Sequence, residues 1–302
     1  MKCHGGNRME TIGLIGVGVM GRTVTQKILS GGYGLLAYDV NAACIEQARA
    51  LGASIADSLQ EVAERVKITL MLLPGPDEVK HCVAGPQGLL SSAAPGAVIV
   101  DMSTIDPATT TAMAALALAK GVGYVDAPVL GRPATVGKWA LPAGGRKEDV
   151  DQCRPVLSQF AAHVLHVGPS GSGHKIKLLN QMMFGAINAM TAEMMAVASK
   201  IGIEPRLLYE TITASQAGTV SNLFKELGGR IASGNYDNPT FTVDLLIKDI
   251  RLGVKMAKEG GAPPILGRTV ELVNEISQTQ GFGSSDTSSM WKSYLQVWGQ
   301  SK

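Results

Sequence analysis

The chain has 302 residues, of which 45% are hydrophobic, enough for one large or two ordinary domains with a sizeable core. A net charge of +2 without a dense Lys/Arg run indicates no nucleic-acid partner. The polar N-terminus, and the absence of an unbroken run of about 18 apolar residues, predict neither signal peptide nor membrane span, hence a soluble cytoplasmic protein. No CxxC or CxxH set exists, which predicts no metal site and four free thiols, Cys3, Cys44, Cys82 and Cys153.

The first predicted strand, Ile12–Ile15, leads directly into a glycine-rich turn and then a predicted helix. In Gly16-x-Gly18-x-x-Gly21, the first glycine permits the tight turn and the second lets phosphates approach the backbone. The third glycine lets helix and strand pack closely. The helix N-terminus favours anions. The pattern therefore predicts a dinucleotide site at Gly16, Val17, Gly18, Val19, Met20 and Gly21.

The second predicted strand, 34–38, is followed by Asp39, eighteen residues after Gly21. A carboxylate at this spacing can accept hydrogen bonds from the ribose hydroxyls and would repel a 2′-phosphate. Asp39 therefore favours NAD over NADP as the cofactor. The alternative is that Asp39 only caps the following helix.

Strand-like and helix-like segments continue to alternate as far as residue 167, which predicts a Rossmann-type, doubly wound parallel sheet. The predicted dinucleotide-binding domain covers residues 1–170. Further predicted strands lie at 68–72, 97–101, 123–127, 140–143 and 161–167. Clusters of polar, Pro and Gly residues follow several of these strands, where α/β sheets bind ligands.

Residues 171–302 are predicted to form an all-α domain that begins with a long connecting helix from Lys175 to about Ile201. Its apolar residues recur at steps of three and four, and we expect this methionine-rich stripe to be packed in the core. The stripe comprises Ile176, Leu179, Met183, Ile187, Met190, Met194, Val197 and Ile201.

Lys177 and Asn180 share one face at the start of this helix, and Gln181 could join them. Partial burial or a nearby positive nicotinamide ring would lower the pKa of a lysine. Such a lysine could accept the hydroxyl proton during alcohol oxidation and return it during reduction. The alternative is an ordinary solvated lysine on a helix surface.

Six motifs occur in order along the chain: Gly13–Gly21, Leu73-Pro74, Asp101–Ile105, Asp126–Val129, Gly171–Asn180 and Lys248-Asp249. In this order, and over residues 10–295, they resemble the motifs of the β-hydroxyacid dehydrogenase family.

The resemblance implies that Lys177 is the catalytic lysine and that Asn180 helps to hold the substrate. It assigns Leu73, Pro74, Thr104 and Lys248 to the cofactor. The same two-domain fold and a homodimer or homotetramer are expected from it.

One segment departs from the family pattern, in which Ser-Gly-Gly binds the substrate carboxylate. This chain has Leu130-Gly131-Arg132 instead, so a serine hydroxyl is lost and a guanidinium appears. Arg132 could bind an anion in bidentate fashion, or could point into solvent or pair with an acid. Tyr124, Trp139 or Trp291 could line the pocket, and Gln181 stands where the family has a second asparagine.

The predicted function is an NAD-dependent oxidoreductase that interconverts a small 3-hydroxy acid and its semialdehyde, with Lys177 as general acid/base. A 6-phosphogluconate-type enzyme is disfavoured because Leu179 replaces the histidine of that group. An imine reductase is disfavoured because such enzymes generally lack the lysine. A non-catalytic NAD(H)-binding sensor or interaction protein is the alternative from another class.

Overall fold

The structure is a computed structural model that describes residues 9–215, 222–236, 238–262 and 264–299. The chain divides into two compact units, Met1–Lys177 and Leu178–Lys302. Within the described ranges, no helix is long and apolar enough to cross a membrane. Cys44, Cys82 and Cys153 are free thiols, as predicted, whereas Cys3 lies outside these ranges.

The first unit is built on one eight-stranded sheet with the order β3-β2-β1-β4-β5-β6-β7-β8. The strands are β1 (Met9–Ile15), β2 (Tyr33–Tyr38), β3 (Ser54–Ile55), β4 (Ile68–Met71), β5 (Val98–Asp101), β6 (Gly123–Asp126), β7 (Trp139–Gly144) and β8 (Ala161–Gly168). The helices are α1 (Val19–Ser30), α2 (Ala42–Ala50), α3 (Leu59–Arg65), α4 (Pro76–Ala84), α5 (Pro107–Leu118) and α6 (Lys147–Leu157). This alternation confirms the predicted Rossmann-type fold.

One strand departs from the predicted parallel sheet, because β7 runs antiparallel to β6, with Asp126 paired to Gly144. A parallel return to the sheet needs a crossover that usually contains a helix. Between β6 and β7 there is only the short 3₁₀ turn Pro133–Thr135, so the chain turns back directly.

Each central strand sends alternate side chains into one of two apolar layers, one on each face of the sheet. Leu14 and Leu70 belong to the first layer, whereas their neighbours Ile15 and Met71 belong to the second. Because both faces are covered, the strands read as unbroken apolar runs in the sequence.

The second unit consists of helices and connecting loops, with no strand among its described residues. Its helices are α7 (Ser172–Lys200, which begins in the first unit), α8 (Pro205–Ala214), α9 (Asn222–Ser233), α10 (Val243–Glu259), α11 (Ile265–Ser277) and α12 (Met290–Val297). The predicted long helix followed by shorter ones is confirmed.

The predicted burial of the apolar stripe on α7 is wrong. Six of its residues in the second unit are between 39% and 67% exposed, and we call them the α7 stripe: Leu179, Met183, Ile187, Met190, Met194 and Ile201. The face of α7 that packs in the unit carries several small residues, among them Gly185, Ala189, Ala192 and Ala196, beside larger ones such as Leu178 and Met195. A Cβ added to Gly185 would lie 2.8 Å from Ile250 of α10. Small residues allow this close approach, and they are apolar too, so periodicity alone could not tell which apolar face is buried.

Candidate functional site

In the glycine-rich turn after β1, each of the three glycines meets a different structural requirement, as the sequence predicts. Gly16 has φ +86°, and a Cβ there would lie 2.2 Å from the carbonyl oxygen of Leu72. A Cβ on Gly21 would lie 2.1 Å from the carbonyl oxygen of Gly16, so helix and turn are in direct contact. A Cβ on Gly18 would meet no atom within 4 Å, so this position faces open space.

The start of α1 fits a dinucleotide pyrophosphate. Gly18 is the N-cap residue, and no side chain caps the helix, so its first-turn N–H groups can face an anion. Val19 is exposed and Met20 is partly buried against the core. Val17 is buried in the core, so it could contribute only backbone to a cofactor site.

Asp39, just after β2, ties the glycine-rich turn to the next loop. Its Oδ2 accepts a hydrogen bond from the Val17 N–H at 2.8 Å, and its Oδ1 accepts one from the Asn41 N–H at 2.8 Å. The N-cap of α2 is Asn41, whose side chain accepts from the Ala43 N–H. The capping alternative for Asp39 is therefore wrong, and its carboxylate lies beside the predicted pyrophosphate turn.

The predicted cofactor contacts Leu73, Pro74 and Thr104 follow the adjacent strands β4 and β5 at their carboxyl ends. The Leu73 N–H donates to the Ser103 Oγ at 3.0 Å, which joins the two loops. Strand order reverses between β1 and β4, and ligands bind at such a switch point in open α/β sheets. Gly16, Leu73 and Thr104 thus lie at the sheet edge where this fold binds ligands.

A buried hydrogen-bond network holds the loop after β5, and through Ser103 also the loop after β4. The Tyr124 hydroxyl donates to Asp101 Oδ2 at 2.9 Å, and the Ser103 N–H donates to Asp101 Oδ1 at 3.0 Å. Burial, together with the Asp101 carboxylate, raises the pKa of Tyr124 well above its usual value. The predicted role of Tyr124 in lining a pocket is wrong, because the side chain is enclosed and bonded to Asp101.

His174, in the first turn of α7, was not among the predicted site residues, although it lies three residues before Lys177. The ring is fully buried, with Nε2 2.9 Å from the Ser103 carbonyl oxygen and Nδ1 2.6 Å from the Thr110 hydroxyl. Because a carbonyl oxygen only accepts, Nε2 carries a proton. His174 therefore fixes the start of α7 against the loop after β5.

Asp126, at the end of β6, fixes the same turn from its other side. Its carboxylate accepts from the backbone N–H groups of Gly171 at 2.8 Å and His174 at 3.0 Å. Burial raises the pKa of Asp126, while His174 and these two N–H groups act to lower it. A Cβ on Gly173 would lie 2.2 Å from the Pro142 carbonyl oxygen. Position 173 must therefore be glycine for the first turn of α7 to pack against the sheet.

Lys177 follows this anchored turn and is only 9% exposed. Its Nζ donates to the carbonyl oxygen of Val129 at 2.8 Å. The alternative of a solvated surface lysine is therefore wrong for Lys177, whereas Lys175 on the same helix is exposed. The contact with Val129 brings the amine to the segment that leads into Leu130-Gly131-Arg132.

The Leu130–Arg132 segment is held by Trp139, the first residue of β7. The indole Nε1 donates to the Arg132 carbonyl oxygen at 2.8 Å, and a Cβ on Gly131 would lie 2.0 Å from the indole Cδ1. Gly131 is thus required for packing, whatever it does for substrate. The predicted role of Trp139 in lining a pocket is wrong, because its ring is fully buried against Phe160.

The remaining predicted site residues belong to the second unit. Gln181 is buried, and its Nε2 donates to Asp249 Oδ2 at 2.7 Å, while Lys248 Nζ lies 2.8 Å from Asp249 Oδ1. The Asn180 amide donates weakly to Gln181 Oε1 at 3.4 Å. These four side chains form one polar cluster on α7 and α10.

Two family models together cover most of the chain. Residues 11–168 match the NAD binding domain of 6-phosphogluconate dehydrogenase. Residues 171–294 match a domain described as the NAD-binding domain of NADP-dependent 3-hydroxyisobutyrate dehydrogenase. The chain belongs to the β-hydroxyacid dehydrogenase family.

Individual relatives of this family are similar along almost their whole length. The chain is 32% identical to 2-(hydroxymethyl)glutarate dehydrogenase of Eubacterium barkeri, covering 96% of each protein. It is 29% identical to 3-sulfolactaldehyde reductase of Escherichia coli strain K12, covering 93% of this chain and 95% of the relative. A crystal structure of 3-hydroxyisobutyrate dehydrogenase from Salmonella typhimurium is 27% identical, with a TM-score of 0.87, over 94% of this chain and 99% of that one.

The family membership gives the class of reaction. The chain is an NAD(P)-binding oxidoreductase that acts on the hydroxyl groups of hydroxy acids, or reduces the corresponding carbonyl compounds. The glycine-rich turn and the uncapped start of α1 fit the dinucleotide that this class requires.

Proposed function

We propose that the chain is an NAD-dependent dehydrogenase that interconverts a small 3-hydroxy acid, or a related anionic primary alcohol, and its semialdehyde. The observation that carries this proposal is the buried amine of Lys177, held at the Val129 carbonyl beside the carboxyl edge of the sheet. The contact with Val129 holds the amine at the carboxyl ends of the strands, where this fold binds ligands. An amine held there can exchange a proton with a substrate hydroxyl.

Lys177 is proposed to move the proton in both directions. In oxidation, its neutral amine accepts the proton of the substrate hydroxyl, and in reduction its ammonium returns that proton to the carbonyl oxygen. His174 and Asp126 hold the turn that carries Lys177, so they are positioning residues in this scheme.

The nicotinamide dinucleotide, when bound, supplies the two-electron chemistry by accepting or donating hydride. We assign its pyrophosphate to the turn from Gly16 to Gly21, because that turn is open at Gly18 and leads into an uncapped helix. Leu73, Pro74 and Thr104 are assigned to the same cofactor from their place at the switch point. Lys248 is assigned to it from the family resemblance alone.

The substrate anion is assigned to Gly131 and Arg132, since the Lys177 amine lies at the residue two positions before Gly131. A guanidinium can bind a carboxylate, sulfonate or phosphonate through two hydrogen bonds. Asn180 and Gln181 are assigned to the substrate from the family resemblance. A cytoplasmic location remains a prediction.

The proposal is tested by NADH formation from NAD and a panel of hydroxy acids with the purified protein. The panel contains 3-hydroxyisobutyrate, glycerate, serine, 4-hydroxybutyrate, threonate and sulfonate and phosphonate analogues. Turnover of at least one 3-hydroxy compound is expected. Intact NADH binding with no turnover of any member, or of the semialdehydes in reverse, would favour a different substrate class.

Replacing Asp39 with asparagine is expected to lower the ratio of kcat/KM for NAD to that for NADP by about tenfold or more. The reason is that the substitution removes the charge that would repel a 2′-phosphate. Steady-state kinetics with each cofactor measure the ratio. Because Asp39 also accepts two backbone N–H groups, the thermal melting of the variant is measured alongside. A wild-type protein that uses both cofactors equally would contradict the assigned preference.

Replacing Arg132 with glutamine is expected to raise KM for the acidic substrate by about tenfold, with a much smaller change in kcat. Arg132→Lys is the matched control, because it retains the charge but loses the bidentate geometry, and a smaller rise is expected. The backbone contacts of the segment, with Trp139 and Thr135, are unchanged by either substitution. Equal KM values for all three proteins would place the guanidinium outside the substrate site.

A further inference from the structure

Trp139, the first residue of β7, is a large side chain that the sheet holds in one position. Its indole is fully buried and packs edge-on against Phe160, with the ring centroids 6.1 Å apart. Protein interiors are close-packed, so an enclosed ring of this size has little room to move. Whatever the indole contacts is therefore placed relative to the sheet.

The indole contacts two consecutive residues of the segment in which the chain departs from its family. Its Nε1 donates to the Arg132 carbonyl oxygen at 2.8 Å. A Cβ on Gly131 would lie 2.0 Å from the indole Cδ1, so the ring lies directly against the Gly131 backbone. One polar contact and one packing contact thus reach the two residues to which the substrate anion is assigned.

Backbone hydrogen bonds hold the two ends of the loop that contains these residues. At its start, the Leu130 N–H donates to the Ala140 carbonyl oxygen at 3.0 Å. At its end, the Gly137 N–H donates to the Phe160 carbonyl oxygen at 2.8 Å. Both partners belong to the sheet or to the turn that leads into β8, so the ends of the loop are fixed without Trp139.

Arg132 lies between these two ends. Its carbonyl oxygen also accepts from the Thr135 N–H at 2.9 Å, but that bond lies within the loop and cannot fix the loop to the sheet. The indole N–H comes from β7, so it joins the Arg132 peptide to the sheet. If the indole N–H were removed, the carbonyl would keep the Thr135 bond and would not be left unpaired, so the cost in stability is small.

We propose that Trp139 is a positioning residue for the substrate anion. Its indole N–H fixes the Arg132 peptide, and so the point from which the guanidinium reaches the acidic group of the substrate. The inference rests on the proposed function, in which Gly131 and Arg132 bind that group. Bidentate binding by a guanidinium depends on geometry, and binding residues must be held within about 0.5 Å of their productive positions. Trp139 itself is enclosed and acts through Arg132.

Replacing Trp139 with β-(3-benzothienyl)alanine tests the role of the donor alone. This tryptophan analogue has sulfur in place of the indole N–H, so it retains the shape of the ring and loses the bond to Arg132. KM for the acidic substrate is expected to rise by about two- to tenfold, the range that one neutral hydrogen bond supplies. The value of kcat is expected to stay within about twofold, because Lys177 is held by the Val129 carbonyl instead.

Trp139→Phe removes the same donor with a natural residue, and Phe160→Leu is its matched control. Both substitutions shrink a buried ring of the same apolar layer, so both are expected to lower the melting temperature. Only Trp139→Phe is expected to raise KM, because Phe160 holds the loop through its backbone carbonyl, which the substitution retains. A rise of equal size in both variants would indicate loosened packing and overturns the inference.

A double variant tests whether Trp139 acts through Arg132. Arg132→Gln alone is expected to raise KM about tenfold. Adding the Trp139 replacement to it is expected to cause little further rise, because a misplaced guanidinium and an absent one lose the same contact. Independent effects would multiply to about 20- to 100-fold, and that result also overturns the inference.

Calorimetry of the NADH-bound protein with the acids of the panel gives the same comparison without turnover, since NADH cannot oxidise a hydroxy acid. Weaker binding of the acid by both the Arg132→Gln protein and the benzothienylalanine protein supports the inference. If Arg132→Gln weakens binding while the benzothienylalanine protein binds as the wild type does, the anion assignment stands and the inference is wrong. If neither change weakens binding, or no acid of the panel binds, the anion assignment fails and the inference fails with it.

Discussion

Replacing Lys177 with alanine is expected to lower kcat by about 10²–10⁴-fold, the usual contribution of a positioned acid or base. The physical reason is that the buried amine at the Val129 carbonyl is the proposed proton carrier for the substrate hydroxyl. NADH binding, measured by the fluorescence of the bound cofactor, is expected to change little. Steady-state kinetics on the best substrate of the hydroxy-acid panel give kcat.

The chain provides a matched control for this variant. Lys175 lies two residues earlier on the same helix, carries the same charge and is exposed. Lys175→Ala is therefore expected to leave kcat within about twofold of the wild type, because surface substitutions seldom perturb a folded site. A comparable loss of kcat in both variants would indicate a general effect of charge on α7 instead of proton transfer by Lys177.

Alanine substitutions at Gly16 and Gly18 are expected to differ, because the first mainly lowers stability and the second mainly weakens cofactor binding. Gly16→Ala should lower the free energy of unfolding by at least about 2 kcal/mol, for two reasons. A φ of +86° is strained for alanine, and the added Cβ would lie only 2.2 Å from the Leu72 carbonyl oxygen. Gly18→Ala meets no neighbouring atom and should cost less than about 1 kcal/mol.

The same Gly18→Ala variant should bind NADH at least about tenfold more weakly, a loss of about 1.4 kcal/mol. The reason is that its methyl group occupies the open face that is assigned to the pyrophosphate. Urea unfolding and fluorescence titration measure the two quantities separately. Unchanged NADH affinity in a folded Gly18→Ala variant would place the pyrophosphate elsewhere.

Local patterns account for the parts of the fold that could be predicted from the sequence. The apolar run Ile12–Ile15 followed by spaced glycines predicts a strand, a turn and a helix, because each residue type suits one backbone geometry. The long helix α7 was also predicted, since apolar residues recur along it at steps of three and four. The location of Asp39 beside the turn follows from the same kind of local motif.

The features that could not be predicted depend on contacts between distant parts of the chain. The antiparallel direction of β7 and the packing of Trp139 over Gly131 are set by how the chain returns to the sheet. His174 was missed because its partners, Ser103 and Thr110, lie more than sixty residues away in sequence. A lone histidine on a helix gives no sign of such partners before the fold is known.

Chemical rescue of Lys177→Ala tests the central claim, that the Lys177 amine moves the substrate proton, most directly. The measurement is the rate of NADH formation by this variant as a function of methylamine concentration, at constant ionic strength. The account predicts a very low rate without amine, a rise with added amine that depends on its base strength, and no rise in the wild type or Lys175→Ala. A Lys177→Ala variant that turns over at the wild-type rate, with no dependence on amine, would contradict it.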